Sequence, residues 1–368
     1  MQICQNVKLK ESPTFFVLMC LLLASSSLFI TPAVASSKSI AKVGNSCTKE
    51  KSQQKINSLT LVCTKLDSKL TWQPSVLQTQ LKIWRDLNDQ EATLNEATPA
   101  LDIYFSPTVS VDSANQILES LNQAARLWQA QYLPQQAIPT LFFTEKDRNW
   151  AIEKFKDLDL NSDGFIANFD NEVRRNGNRS NWAGVTGENG KLWMSFMIGS
   201  ERVPDSNDLQ VAAHEYTHLA QFRIASSGVI ALSCWQVEGG AYFYGIYLGA
   251  TSESQLRDFV KERSTQKFFL GFSGLNKKSP KSWAKLIDKF GPDYDSRKCG
   301  PDGAYPVGSV MHEYLYSLKG HDGIIKMIST VSAEKDFYKG IEKVYGKNWS
   351  TLKGELVKYL KISVSQLG

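Results

Sequence analysis

The chain has 368 residues, 42% of them hydrophobic and 21% charged, with a net charge of +5. A length of this order buries a sizeable core and usually divides into two units. The basic surplus is spread thinly, with only Lys277, Lys278 and Lys281 grouped, so nothing points to a nucleic-acid partner.

Residues 1–35 read as a secretory signal. Lys8 and Lys10 precede an apolar run from Phe15 to Ile30, and Ala33-Val34-Ala35 offers small residues for cleavage before Ser36. The run is short for a membrane span and contains Ser25-Ser26-Ser27. Cys20 lies inside it, which argues against a lipid-bearing cysteine. No other long apolar stretch follows. The expectation is therefore a secreted protein without an integral membrane segment, an uncleaved anchor being the alternative. Cys47, Cys63, Cys234 and Cys299 remain after cleavage, an even number in an oxidising compartment. Three pairings are open. Cys47–Cys63 with Cys234–Cys299 is favoured, and a free buried thiol at Cys234 is the alternative.

Residues 36–75 read as a small β module, with a turn at Val43-Gly44-Asn45-Ser46-Cys47 and strands at Leu59–Cys63 and Lys69–Trp72. It resembles the Cys-pair unit ending in Trp that is appended to many secreted bacterial proteins. That resemblance carries no activity and leaves two roles open, attachment to a cell-surface component or a stabilised spacer. Residues 76–98 form a helical connector, with Leu77, Leu81, Trp84 and Leu87 at helical spacing. Residues 99–368 then form one larger domain. Strands are expected at Leu101–Phe105 and Ile138–Phe143. Ser113 is placed to cap a helix through Ile117, Leu121, Ala125 and Trp128, and Asp147 precedes a helix from Trp150 to Leu158. A third strand spans Lys191–Met197, its segment Trp193–Met197 expected at a sheet edge where an extended substrate can pair. The polar stretch from Gly274 to Gly303 reads as a loop.

Between the second helix and third strand, Asp159, Asn161 and Asp163 stand at the first, third and fifth places of a segment resembling an EF-hand calcium loop. Gly164 follows at the sixth, and Phe165 would lend its carbonyl. Asp170 takes the twelfth place, where a longer Glu is usual, so a Ca²⁺ bound there is held more weakly. A turn rich in Asp and Asn, needing no ion, is the other reading.

The most informative stretch is His214-Glu215-Tyr216-Thr217-His218, inside the apolar run Val211–Ala220. Residues four apart share one helix face, so both imidazoles can reach one metal ion, with Glu215 beside it as general base. Ser226-Ser227-Gly228 breaks the helix, and Cys234-Trp235-Gln236-Val237-Glu238 begins another. A returning helix turns Glu238, twenty residues after His218, toward the histidines. Two His and one Glu leave a fourth position open, the pattern of a catalytic Zn²⁺ site.

His214, Glu215 and His218, followed by Trp235, Glu238, Gly239, Ala241 and Phe243, resemble the signature of the gluzincin metallopeptidases. Tyr305-Pro306-Val307-Gly308 resembles the Y-x-x-G of their aminopeptidase branch. Phe337 to Leu360 is similar to the closing helices of such enzymes. The resemblance implies an α+β, zincin-like domain, with a mixed sheet before the metal helix and mostly helices after it. It implies a secreted zinc peptidase acting on peptides or proteins, with Tyr305 steadying the oxyanion. The G-x-M-E-N segment of the aminopeptidases is missing; Gly187-Glu188-Asn189 does not match it, so an exopeptidase lacks support. The rival reading is a binding or cell-envelope protein on a peptidase scaffold without general turnover. His312-Glu313-Tyr314-Leu315-Tyr316 lacks the second His and reads as core or cleft wall. His321 falls in a turn, and Tyr242 and Tyr244 read as packing.

Overall fold

Two small sheets and a series of helices give an α+β protein. In the computed structural model the described residues are 41–93, 101–128, 137–160, 163–188, 191–225, 231–265, 280–291 and 304–367. Residues 41–368 cluster into one unit. The expected signal, Asn161 and Cys299 lie outside the described residues.

The first sheet is an antiparallel meander of β1 (Gln53–Ile56), β2 (Leu59–Leu66) and β3 (Lys69–Pro74). Asp67 and Ser68 both have positive φ, as a two-residue hairpin of the twist-matched type requires. The expected Cys47–Cys63 disulfide closes this sheet. Helix α1 (Val76–Thr93) follows directly. It is embedded: Leu81, Ile83 and Leu87 are buried, and Trp84 Nε1 donates to the Ala250 carbonyl at 2.9 Å.

The second sheet has the order β4-β5-β7-β6. Strands β4 (Leu101–Phe105), β5 (Ile138–Phe143) and β7 (Lys191–Ile198) run parallel, and β6 (Asn181–Glu188) pairs antiparallel with β7. The expected edge position of Trp193–Met197 is thus overturned. β7 lies between β5 and β6, and the edge belongs to β6. Side chains alternate faces along these strands. Phe142, Met194 and Phe196 join the main core, while Leu141, Phe143, Trp193 and Met197 join a second core with Phe155, Phe165 and Phe169.

Helix α2 (Val111–Trp128) starts earlier than expected; Ser110 Oγ, rather than Ser113, caps it by accepting from the Ser113 N–H at 3.3 Å. Helix α3 (Arg148–Asp157) also starts before Trp150. The Asp147 carboxylate does not cap it, because Ser106, Thr108 and Thr144 donate to it. Helix α4 (Asp163–Asn176) occupies much of the expected calcium loop.

The remainder is helical: α5 (Ser206–Ala225), α6 (Cys234–Gly249), α7 (Glu253–Thr265), α8 (Pro280–Lys289), α9 (Ala304–Glu334), α10 (Phe337–Tyr345) and α11 (Trp349–Leu367). α8 falls inside the stretch expected to be a loop, burying Trp283, Leu286 and Ile287 on one face. The turn expected around His321 is a one-residue break in α9 at Gly320, with φ 64° and ψ −164°. Gln366 of α11 accepts from the Val76 N–H and donates to Thr64 Oγ1 and the Pro74 carbonyl, fastening the first sheet to the last helix. Beneath the helices, Arg263 of α7 and Glu313 of α9 form a fully buried ion pair at 2.7 Å. Gln80 of α1, Tyr247 of α6 and Tyr359 of α11 donate to the same carboxylate. Severing one partner of such a pair leaves a buried charge alone, a loss of about 3–5 kcal/mol.

Candidate metal centre

α5 brings His214 and His218 onto one face, both buried, with their Nε2 atoms 3.0 Å apart. α6 begins after Ser233, whose N–H donates to Gln236 Oε1 at 2.9 Å, so the chain turns sharply into the helix bearing Glu238. Cys234, at its first position, is disulfide-bonded; its expected partner Cys299 is outside the described residues. Gly245 and Gly249 let α6 lie directly on α5, where a Cβ would come within 2.7 Å of Gln210 backbone. This close crossing places Glu238 Oε2 3.3 Å from His218 Nε2 and 3.6 Å from His214 Nε2. Glu238 Oε2 is buried and accepts no hydrogen bond of good geometry from the described residues. Among the described residues, His214, His218 and Glu238 alone form such a three-residue ligand group.

Gly239 and Gly308 set the second crossing. A Cβ on Gly239 would meet Gly308 Cα at 2.4 Å, and one on Gly308 would meet Gly239 Cα at 2.7 Å. α6 and α9 therefore touch backbone to backbone, one residue past the ligand. Tyr305, one turn before Gly308, then lies flat on His214, with ring centroids 5.5 Å apart and planes 6° from parallel. Its hydroxyl donates to Glu238. Tyr305 thus lies beside the cluster.

The electrostatics follow from burial and proximity. Burial pushes the Glu238 carboxyl up, but the two imidazoles outweigh it and hold the group far below the usual carboxylate range. Burial pushes His218 down; Glu238, Glu215 and Gln221 outweigh it and raise it to about 9. Glu215, half-buried on the same helix, has its carboxyl raised by burial against the pull of both imidazoles. Burial and the neighbouring Glu238 hold the Tyr305 phenol in its protonated form. The arrangement can hold a metal ion through two imidazole nitrogens and one carboxylate oxygen, with a carboxyl and a phenol beside it.

The calcium expectation fares differently. Asp159 pairs with Lys191 Nζ at 2.5 Å, and Asp170 makes a two-pronged pair with Arg148 at 2.6 and 2.9 Å. Asp163 opens α4, and Phe165 is buried in the second core. Of the expected ligands, Asp159 and Asp170 thus each already hold a basic side chain, and Asn161 lies outside the described residues. His312 is core: its Nδ1 lies 2.8 Å from the Gly308 carbonyl, and burial pushes it down to about 4. His321 is buried too, its Nδ1 2.6 Å from the Tyr244 hydroxyl. Sequence reasoning missed Gln221, three residues beyond His218 and 2.9 Å from its Nδ1, although its helical spacing was a usable signal. No family profile, curated protein sequence or solved structure matches this chain, so its chemistry has to be read from these side chains.

Proposed function

We propose that this protein is a secreted zinc peptidase of the gluzincin kind, cleaving peptide bonds with a water activated at His214, His218 and Glu238. The observation that carries the reading is the orphaned Glu238 Oε2, buried and facing two imidazole nitrogens. Ligands at tetrahedral angles and bond lengths of about 2.0–2.1 Å stand roughly 3.3 Å apart. The separations of 3.0, 3.3 and 3.6 Å bracket that value, so the residues fit zinc. When bound, zinc supplies a Lewis acid that polarises a carbonyl and brings the pKa of water toward neutrality.

The chain's own groups supply the rest. Glu215 takes a proton from the attacking water and passes it to the leaving amine. Tyr305, held by its stacking on His214, turns its hydroxyl toward the developing oxyanion. Edge strand β6 offers backbone groups to an extended peptide, since among the described residues only β7 pairs with it. Secretion is supported by the Cys47–Cys63 disulfide; no described helix is long and apolar enough to cross a membrane. The test is zinc content by elemental analysis together with cleavage of a peptide library, with and without a chelator. One zinc per chain and chelator-sensitive cleavage are expected. Zinc without cleavage of any peptide favours a binding protein on the same scaffold.

A further inference from the structure

Gln221 occupies a place that the ligand set does not explain. It lies on α5 one turn beyond His218 and is 1% exposed. Its Oε1 is 2.9 Å from His218 Nδ1. Its Nε2 donates to two carbonyls of α6, Gln236 at 3.2 Å and Val237 at 2.9 Å. The two carbonyls fix which end of the amide is which. They accept only from the NH₂, so the oxygen faces the imidazole. An oxygen at Nδ1 requires that Nδ1 carry the hydrogen, so in the neutral imidazole that a metal needs it is the Nε2 lone pair that faces His214 and Glu238. Val237 immediately precedes Glu238, so the same amide also holds the third ligand's helix against the ligand pair. Gly240 makes room for it: a Cβ there would stand 3.0 Å from Gln221 Nε2.

We infer that Gln221 is the positioning residue of the metal centre: it locks His218 in the tautomer that presents Nε2 to the ion and clamps the Glu238 segment of α6 to α5. The inference rests on the proposed metal site and not on peptidase activity. Partners of this kind change metal affinity by about 10–100-fold when removed.

The experiment measures Zn²⁺ affinity by competition with a chromogenic chelator, and the visible spectrum of the Co²⁺-loaded protein, for the full chain and for Gln221→Leu and Gln221→Glu. Melting of the metal-free proteins reports on the fold separately. Gln221→Leu is expected to bind Zn²⁺ about 10–100-fold more weakly and to alter the Co²⁺ spectrum. Gln221→Glu, which keeps an acceptor for His218 but loses the donor to the two α6 carbonyls, is expected to recover part of the affinity relative to Gln221→Leu. Wild-type affinity and an unchanged Co²⁺ spectrum in Gln221→Leu would overturn the inference and leave the metal site standing. So would a loss confined to the melting temperature. Failure of the unaltered protein to take up Zn²⁺ would overturn both.

Discussion

Two acidic segments of this molecule invite the same expectation and stand in opposite surroundings. Around Glu238, carboxylate and imidazoles are buried together, and no Lys or Arg among the described residues pairs with Glu238. Around Asp159 and Asp170, each carboxylate is solvated and already holds a cation of the protein, Lys191 or Arg148. The contrast teaches that ligand-type residues at metal spacing do not make a site. What makes one is convergence of lone pairs in a place where water and internal counter-charges are kept away. The histidines repeat the lesson. His218, facing Glu238, is raised to about 9, whereas His312, packed among Trp235 and Phe243 with its Nδ1 on the Gly308 carbonyl, is lowered to about 4.

The sharpest way to break the contrast is to remove Glu238. Glu238→Ala is expected to abolish stoichiometric zinc uptake, read by elemental analysis after gel filtration; retained metal would show that the histidines suffice. Next in size, Glu215→Gln should keep zinc while peptide hydrolysis falls by about 10²–10⁴-fold in kcat, the usual worth of a general base. Hydrolysis at the wild-type rate would remove Glu215 from the chemistry. Tyr305→Phe should keep the metal and slow turnover by roughly 10–10²-fold, less than loss of a dedicated oxyanion donor, because stacking on His214 survives; an unchanged kcat would leave the phenol a packing group.

Acid sharpens the histidine comparison. The folded pKa of His312 lies below its ordinary value, so the unfolded chain binds the extra proton first. Stability should therefore fall by a few kcal/mol as pH drops from about 6.5 toward 4. Melting scans of His312→Phe should show a shallower acid slope, and an identical slope would assign the loss to other groups. The smallest effect belongs to the exposed segment. Adding Ca²⁺ or removing it with EGTA should leave the melting temperature unchanged, and a clear rise with Ca²⁺ would restore the loop as a site.

Much of this was legible in residue spacing. The i, i+4 histidines and the return of Glu238 are local helical facts, and the structure brings those three side chains together; the expected break at Ser226-Ser227-Gly228 lies outside the described residues. The Cys47–Cys63 pair was legible because both lie in one short hairpin unit. Strand β6 was not, because Asn181-Trp182-Ala183-Gly184 shows no two-residue alternation and takes its form from pairing with β7. Helix α8 hid behind Pro280 and a run of lysines, although its buried face of Trp283, Leu286 and Ile287 is helical in spacing. The Gln80–Glu313–Arg263 network joins residues 233 and 50 positions apart, and no local pattern announces contacts of that range.

The glycine contact between α6 and α9 carries one more consequence. Because two bare main chains meet at Gly239 and Gly308, the spacing of the helices that carry phenol and carboxylate is set by the thickness of the polypeptide itself. Side-chain rotation cannot change that spacing; only sliding a whole helix can. A single methyl added at either glycine would thus act like a shim in a hinge, moving Tyr305 off its neighbour without touching any atom of the pair.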